Sequence, residues 1–232
     1  MKFIALALKG PFASFGSGSK TAKVRETQFF PTKSALFGML LAAAGKHGTV
    51  EEMKTLLENI QADAYDFQEK KEYLHDYQIL GMGYDQNDWF GKKMIPMKYD
   101  GSCQGTNSCI KKTYLQNVKF GVILTVLDDS LAEDIARSLT HPTWPIFLGR
   151  KNCIPTCRIL QGVFNSSEDA LEQLKKFYEN SPYSLVTERH LPINEYDESF
   201  FINDVPIKFA NDDGSKCKQY ASRKVYIKKL SE

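Results

Sequence analysis

Between Gly10 and Gly45 the chain reads Gly10-Pro11-Phe12-Ala13-Ser14-Phe15-Gly16, then an irregular stretch, then Pro31-Thr32-Lys33-Ser34-Ala35-Leu36-Phe37-Gly38. The apolar run from Phe3 to Leu8 precedes it and predicts a central strand that is buried on both faces and ends at Gly10-Pro11. Apolar residues at helical spacing predict a helix from 33 to 44, with Gly45 placed to end it. The irregular residues 10 to 30 predict a long loop between the two.

The start of this helix is a predicted phosphate site. A helix N-terminus offers unpaired backbone N–H groups and a positive dipole, and hydroxyls and cations lie next to it in sequence. The expected contacts are Lys20, Lys23, Arg25, Thr32, Lys33 and Ser34. Thr32 or Ser34 could instead be an ordinary helix cap. The Gly-x-x-x-x-Gly-Lys-Ser/Thr spacing of a nucleotide P-loop does not occur, so the expected phosphate is not that of a P-loop nucleotide.

The composition is that of a globular protein. The chain has 232 residues, of which 42% are hydrophobic and 25% charged, which favours one domain over 1–232. The six apolar residues before Lys9 are too few for a signal peptide or a membrane span, and the five cysteines make an odd number. We expect a cytoplasmic protein with reduced thiols, no membrane contact and no cofactor.

The net charge of +2 hides strong segregation along the chain. Residues 1–50 carry a net +6, residues 51–88 carry −7, residues 89–120 carry +5, residues 121–214 carry −7 and residues 215–232 carry +5. If the fold gathers the three basic blocks on one face, they form a surface for a polyanion. Solvated charged faces are the alternative explanation.

The order of predicted elements indicates an α+β fold, a ferredoxin-like or RRM-like sheet with additions. After the first strand and helix, we predict a helix at 51–59, strands at 62–68, 73–80 and 113–127, a helix at 129–139, a strand at 157–164 and a helix at 168–179. A long basic hairpin is expected at 81–112. A small C-terminal β extension is expected at 183–232, with short strands at 183–209 and a basic strand at 223–230.

Two further groups of residues are typical of RNA contacts. The hairpin combines rings that stack on bases with cations, at Trp89, Phe90, Lys92, Lys93, Lys98, Lys111 and Lys112. Packing of this hairpin on a partner protein explains the same residues equally well. The turn Gly149-Arg150-Lys151 joins a planar guanidinium to a point charge and suits an RNA backbone. Arg223 is expected either to contact a phosphate or to be a charged residue on an edge strand, where charge prevents pairing with other chains.

Four motifs in one order carry a resemblance to a known family. They are Gly10-Pro11 with Phe15-Gly16, the run from Pro31 to Gly38, Tyr114-Leu115-Gln116, and the run from Leu148 to Cys153. Together they resemble the CasD subunits of type I-E Cascade, a branch of CRISPR-associated protein family five in the RAMP superfamily. Phe15 stands where many relatives have Trp, and Cys103 and Cys109 are not features associated with the family.

The resemblance implies a subunit that caps the 5′ end of a CRISPR RNA and holds the repeat-derived handle in a hooked conformation. Residues 81–112 would be the family's thumb. The implied partners are the CRISPR RNA, the backbone subunit and the large subunit of Cascade, with target DNA reached indirectly.

Type I-E members generally do not cut RNA, so the resemblance favours a protein that is not an enzyme. Type I-C relatives are metal-independent endoribonucleases, which leaves cleavage of repeat RNA as the alternative. A metal-free ribonuclease needs a general base and acid, for which His75 with Tyr77 are the leading candidates, followed by Tyr73, His47 and His141. The spacing of Cys103, Cys109, Cys153 and Cys157 matches zinc ligands only weakly, and no metal site is expected.

Overall fold

The computed structural model describes residues 1–16, 24–80, 108–210 and 216–230. These residues form four α-helices: α1 (Lys33–Ala44), α2 (Val50–Asn59), α3 (Asp129–Thr140) and α4 (Ser167–Tyr178). The strands are β1 (Lys2–Ala13), β2 (Val24–Arg25), β3 (Ile60–Asp66), β4 (Tyr73–Leu80), β5 (Ser108–Val126), β6 (Leu160–Phe164), β7 (Ser184–Thr187), β8 (Glu198–Ala210) and β9 (Lys216–Lys229). A short 3₁₀ helix lies at Ile193–Glu195.

The strands form one large sheet in the order β6-β1-β5-β3-β7-β9-β8, and all neighbours in this order are antiparallel. Strand β5 is the longest, with 19 residues. Its C-terminal part lies between β1 and β3, whereas its N-terminal part pairs with β4 and, in parallel, with β2. A mixed α and β architecture with a large antiparallel sheet is therefore confirmed.

Strand β1 is central and buried on both faces, as predicted. All six residues from Phe3 to Leu8 are buried. Ile4, Leu6 and Leu8 belong to the main core with α1, α2 and α3. Phe3, Ala5 and Ala7 belong to a smaller core with α4 on the other face of the sheet. Because both faces of the sheet are covered here, the strand has a continuous apolar run instead of an alternating one.

The predicted end of β1 at Gly10-Pro11 is wrong, because the strand continues to Ala13. Gly10 pairs with Val118 and Phe12 with Gln116 of β5. Strand β6 pairs with β1 only from Phe3 to Leu6. Within the described ranges, the part of β1 that contains Pro11 thus has a strand on one side alone, and a proline is tolerated at such an edge.

Helix α1 spans the predicted residues because its local end signals are strong. Thr32 is the N-cap, and its side chain accepts a hydrogen bond from the Ala35 amide. Gly45 ends the helix in the left-handed conformation with φ of 69°. The other three helices begin or end within a residue of their predicted limits, since Thr49, Asp128 and Ser166 cap them in the ordinary way.

Helix α4 covers the second face of the sheet at close range. Leu174 is fully buried, and a Cβ placed on Gly121 of β5 would come within 2.8 Å of its side chain and of Phe67. The Tyr178 hydroxyl donates to the Phe120 carbonyl at 2.8 Å, and its ring stacks on Phe67 at 4.5 Å between centroids. The absence of a side chain at Gly121 lets the helix sit against the sheet.

The C-terminal strands extend the same sheet. Strand β7 pairs with β3, β9 pairs with β7, and β8 pairs with β9 over most of its length. The predicted strand at 223–230 is wrong at its start, since β9 begins at Lys216. The polar sequence before Arg223 lacks an apolar alternation, so pairing with β8 rather than local pattern makes it a strand.

The packing of α4 is tested by Leu174→Ala. Removing a fully buried side chain leaves a cavity between α4 and the sheet, and we expect a loss of about 2–5 kcal/mol in the free energy of unfolding. The measurement is urea denaturation followed by circular dichroism. Leu171→Ala on the same helix is the matched control and should cost clearly less, because Leu171 is only partly buried. Equal costs for the two variants would contradict this packing.

Candidate nucleic-acid interface

The turn at 148–153 is held tightly against the end of β1. The Leu148 amide donates to the Cys153 carbonyl at 2.8 Å, and the Cys153 amide donates to the Arg150 carbonyl at 2.9 Å. The Ser14 amide donates to the Leu148 carbonyl at 3.0 Å. Gly149 has φ of 95°, and a Cβ there would lie 1.9 Å from the Ser14 carbonyl oxygen. Only glycine fits this position, and the turn therefore has a fixed placement on the strand.

Arg150 extends from this turn across β5 to β2. Its guanidinium donates to the Thr113 carbonyl at 3.3 Å and to the Arg25 carbonyl at 2.7 Å. It also lies 4.7 Å from the centre of the Tyr114 ring, whose hydroxyl accepts a bond from the Asn152 side chain at 3.1 Å. A guanidinium has five N–H donors, and these two bonds hold it in a defined orientation. Arg150 is half-buried, so part of the group faces solvent.

The same region gathers further cations. Arg25 lies opposite Lys112 in the β2–β5 pairing, and Lys151 is exposed directly after Arg150. We call Arg25, Lys112, Arg150 and Lys151 the Arg150 surface. Lys112 donates to the Gln78 side chain, which in turn donates to Asp76 at 2.7 Å. The fold thus brings four predicted RNA-contact residues from three separate segments to one region around β5.

The start of α1 differs from its prediction in an important respect. The Lys33 amide donates to Asp204 Oδ2 at 2.7 Å, and the Lys33 Nζ atom donates to both carboxylate oxygens of Glu188 at 2.8 and 2.9 Å. Lys33 is buried. An internal carboxylate from β8 therefore occupies the helix N-terminus where we expected a phosphate.

Arg223 completes this arrangement. It donates to both oxygens of Asp204, at 2.6 and 2.7 Å, and lies 3.4 Å from Glu188. Burial would lower the pKa of Arg223, but its bonds to Asp204 and Glu188 outweigh this and raise the pKa above its ordinary value. We call Lys33, Glu188, Asp204 and Arg223 the buried charge network. It contains two cations and two anions, so the group as a whole is neutral.

These contacts revise our explanation of the segment. Thr32 is fully buried as the helix cap, and its hydroxyl lies 3.3 Å from that of Ser34. Lys33 and Arg223 have internal acidic partners. The ordinary helix cap that the sequence also allowed accounts for Thr32, with Ser34 beside it. Internal ion pairs account for Lys33 and Arg223, so phosphate contacts are not needed to explain these four residues.

Glu188 and Asp204 were missed by the sequence analysis. Asp204 lies 171 residues from Lys33 in the chain, and neither acid belongs to a motif. The one signal in the sequence for such an acid is the composition of the first turn of α1. Helix α1 has no acidic residue in its first turn, although acids are favoured there, so an anion from elsewhere in the chain was to be expected.

His75 and Tyr77, the leading catalytic candidates, lie on β4, which pairs with the N-terminal part of β5. The His75 Nδ1 atom is 3.3 Å from the Thr113 hydroxyl, and the Tyr77 ring is 5.5 Å from the Lys111 Nζ atom. Both side chains are exposed. They share one face of β4 because they are two residues apart.

Several predicted contacts lie outside the described residues. They are Lys20, Lys23, Trp89, Phe90, Lys92, Lys93 and Lys98. Of the 81–112 hairpin, residues 108–112 form the start of β5, and their antiparallel partners are on β4. In the ranges that the structure covers, no helix is long and apolar enough to cross a membrane. Those ranges also contain no cluster of three or more His, Cys, Asp or Glu side chains arranged to hold a metal ion.

Solved structures share this architecture. A structure titled "CRISPR RNA-guided surveillance complex" has a chain with 19% sequence identity and a TM-score of 0.73, and the match covers 98% of this chain and 90% of that chain. Another, titled "Crystal structure of Cas protein", has 20% identity and a TM-score of 0.59, and covers 98% of this chain and 94% of that one. These similarities define the fold class, a mixed α and β protein with a large antiparallel sheet.

The family follows from the sequence. A family model described as CRISPR-associated protein (Cas_Cas5) matches residues 3–216. The chain belongs to this CRISPR-associated family. A comparison with curated proteins gave no match.

The buried charge network is tested by Asp204→Ala. The change leaves the Lys33 amide and the Arg223 guanidinium without their carboxylate partner in a buried site, and we expect a loss of about 3–5 kcal/mol in the free energy of unfolding. Asp134→Ala removes an exposed ion pair to Arg137 and should cost less than about 1 kcal/mol. Urea denaturation of both variants is the measurement. A fully stable Asp204→Ala protein would show that the network does not hold α1 to β8 and β9.

Proposed function

We propose that the chain is a non-catalytic, RNA-binding subunit of a type I-E Cascade surveillance complex, which caps and hooks the 5′ handle of the CRISPR RNA in antiviral defence. The observation that carries the proposal is the Arg150 surface, a group of cations around β5 whose Arg150 guanidinium is held by hydrogen bonds, in a member of the CRISPR-associated Cas5 family. The remaining partners would be the backbone subunit and the large subunit of Cascade, with target DNA contacted indirectly.

The geometry of the Arg150 surface suits a phosphate backbone. The bonds to the Thr113 and Arg25 carbonyls and the Tyr114 ring fix the plane of the guanidinium before a ligand binds, so less side-chain entropy is lost on binding. Lys112 and Lys151 add positive charge in the same region. Arginine binds phosphate with two parallel N–H donors, and lysine binds it as a point charge.

The finer features of the fold support the same proposal. Strands β1, β3, β5 and β6, with α1 and α3, follow the order strand-helix-strand-strand-helix-strand, with β1 and β5 at the centre. This is the arrangement of a ferredoxin-like domain, a frequent RNA-binding platform. Strands β4 and β5 form an antiparallel pair beyond that domain, and we assign the thumb to the segment 81–112, which follows β4 and includes the first residues of β5.

The Arg150 surface is tested by the salt dependence of RNA binding. For Arg150→Ala we expect about tenfold weaker binding of the repeat-derived 5′ handle RNA, because a charged hydrogen bond to phosphate is lost. The slope of log K against log[salt] should fall by about 0.7 for each phosphate contact removed. Fluorescence anisotropy at several salt concentrations measures both quantities.

Two controls separate charge from fold. Arg137→Ala removes an exposed arginine on α3 that pairs with Asp134 and is not part of the Arg150 surface, and it should leave affinity and slope unchanged. Arg150→Lys keeps the charge but not the planar fork, so the slope should persist while affinity falls. An unchanged slope in Arg150→Ala, with the protein still folded by circular dichroism, would reject the assignment of this residue to the RNA backbone.

The non-catalytic part of the proposal is tested with labelled repeat RNA incubated with the pure protein without metal. We expect no site-specific cleavage product. His75 is the decisive position, because the imidazole is exposed and one of its nitrogens lies beside Thr113. Cleavage that His75→Ala abolishes would replace the proposal with the alternative, a metal-independent endoribonuclease.

A further inference from the structure

Strand β4 carries three ring side chains in one row. Tyr73, His75 and Tyr77 occupy alternate positions, so they lie on the same face of the strand. Tyr73 is 43% exposed and Tyr77 is 60% exposed, and His75 is exposed as well. We call these three residues the ring row. Exposed aromatic side chains at three consecutive positions of one face are unusual for a surface that faces water alone.

The neighbouring strand supplies polar and cationic groups to the same face. Leu115, Thr113 and Lys111 of β5 lie directly opposite Tyr73, His75 and Tyr77. Leu115 is buried, whereas Thr113 contacts the His75 ring and the Lys111 Nζ atom lies over the Tyr77 ring. The row is therefore orientated by its cross-strand partners, with a cation at one end.

The spacing of the row suits a single-stranded nucleic acid. Side chains two apart on a strand are separated by about 7 Å along its axis. This is about twice the 3.4 Å rise between successive bases of a stacked strand. A strand whose bases have separated from one another can thus place a base on each ring, whereas a stacked helix cannot.

The electrostatics of the face also favour nucleic acid. The ordinary pKa of a tyrosine is about 10, so both phenols are neutral at physiological pH and do not repel phosphate. Asp76, the acid on β4, projects to the other face, where it contacts Gln78. A protein interface core is typically depleted of lysine, which makes the Lys111–Tyr77 pair less suited to a protein partner.

We propose that the ring row is a stacking platform for unpaired bases of single-stranded RNA, with Lys111 binding an adjacent phosphate. The inference rests on the proposed function, and it adds base contacts to the backbone contacts of the Arg150 surface. Stacking on rings is tolerant of sequence, because every base has a π face. The row therefore holds a single strand in an extended form without reading its sequence.

The test compares two double variants of the full chain. Tyr73→Leu with Tyr77→Leu removes both phenol rings and retains apolar side chains, whereas Tyr73→Phe with Tyr77→Phe retains the rings. The probes are an oligouridylate of about ten nucleotides and a ribose-phosphate oligomer of the same length without bases. Affinity is measured by competition against labelled RNA at several salt concentrations, and circular dichroism confirms that each variant is folded.

We expect the leucine variant to bind oligouridylate at least about tenfold more weakly than the wild type, because stacking on two rings is lost. Its salt slope should not change, since no cation is removed. The phenylalanine variant should bind like the wild type, and all three proteins should bind the base-free oligomer equally.

The outcomes distinguish this inference from the proposed function. Wild-type affinity of the folded leucine variant for oligouridylate would overturn the stacking platform, while salt-dependent binding by the wild type would leave the proposed function in place. Equal affinity of the wild type for oligouridylate and the base-free oligomer would also overturn the platform. Absence of any salt-dependent RNA binding by the wild type would reject the proposed function, and the platform with it.

Discussion

The pairing of strand β5 is the constraint on which both the core and the candidate site depend. Its C-terminal part pairs with β1 from Leu115 to Val126 and with β3 from Phe120 to Val126. Its N-terminal part pairs with β4 and β2. One continuous strand of 19 residues thus carries the centre of the sheet, the backbone carbonyl that binds Arg150 and the cross-strand partners of the ring row. A shift of one residue in its register would turn all its side chains, including the cross-strand partners of the ring row, to the opposite face.

Asn117 marks the place where β5 changes partners. It has φ of 50°, in the left-handed region that asparagine tolerates better than most residues. On one side of it, the Gln116 amide donates to the Glu72 carbonyl just before β4, and on the other side the Phe67 amide donates to the Lys119 carbonyl just after β3. A local change of backbone conformation therefore separates the part of the strand that pairs with β3 from the part that pairs with β4.

The sequence predicted the helices of this fold better than the ends of its strands. Helix ends depend on local signals, such as the Thr32 cap and Gly45, and a single sequence contains them. The strand ends were less certain because Pro11 reads locally as a terminator, while its tolerance depends on where β6 stops. Which acid lies at the start of α1 could not be predicted, since Asp204 is brought there by three antiparallel pairings, β3–β7, β7–β9 and β9–β8. A helix N-terminus attracts negative charge, and at the start of α1 Asp204 of the same chain supplies it.

The neutrality of the buried charge network has a consequence for the distribution of surface charge. Lys33 and Arg223 belong to two of the basic blocks of the sequence, but their charge is balanced by Glu188 and Asp204 inside the fold. The positive charge that is accessible to a polyanion must then come from other members of those blocks, and Arg25, Lys112, Arg150 and Lys151 are placed for it around β5. Segregation of charge along the chain therefore overstates the basic surface, because one residue of the first block and one of the last are neutralised inside the fold, where they hold α1 to the C-terminal strands. The remaining cations lie around the part of β5 that pairs with β4, so that in the proposed complex the Arg150 surface would make the backbone contacts and the ring row the base contacts.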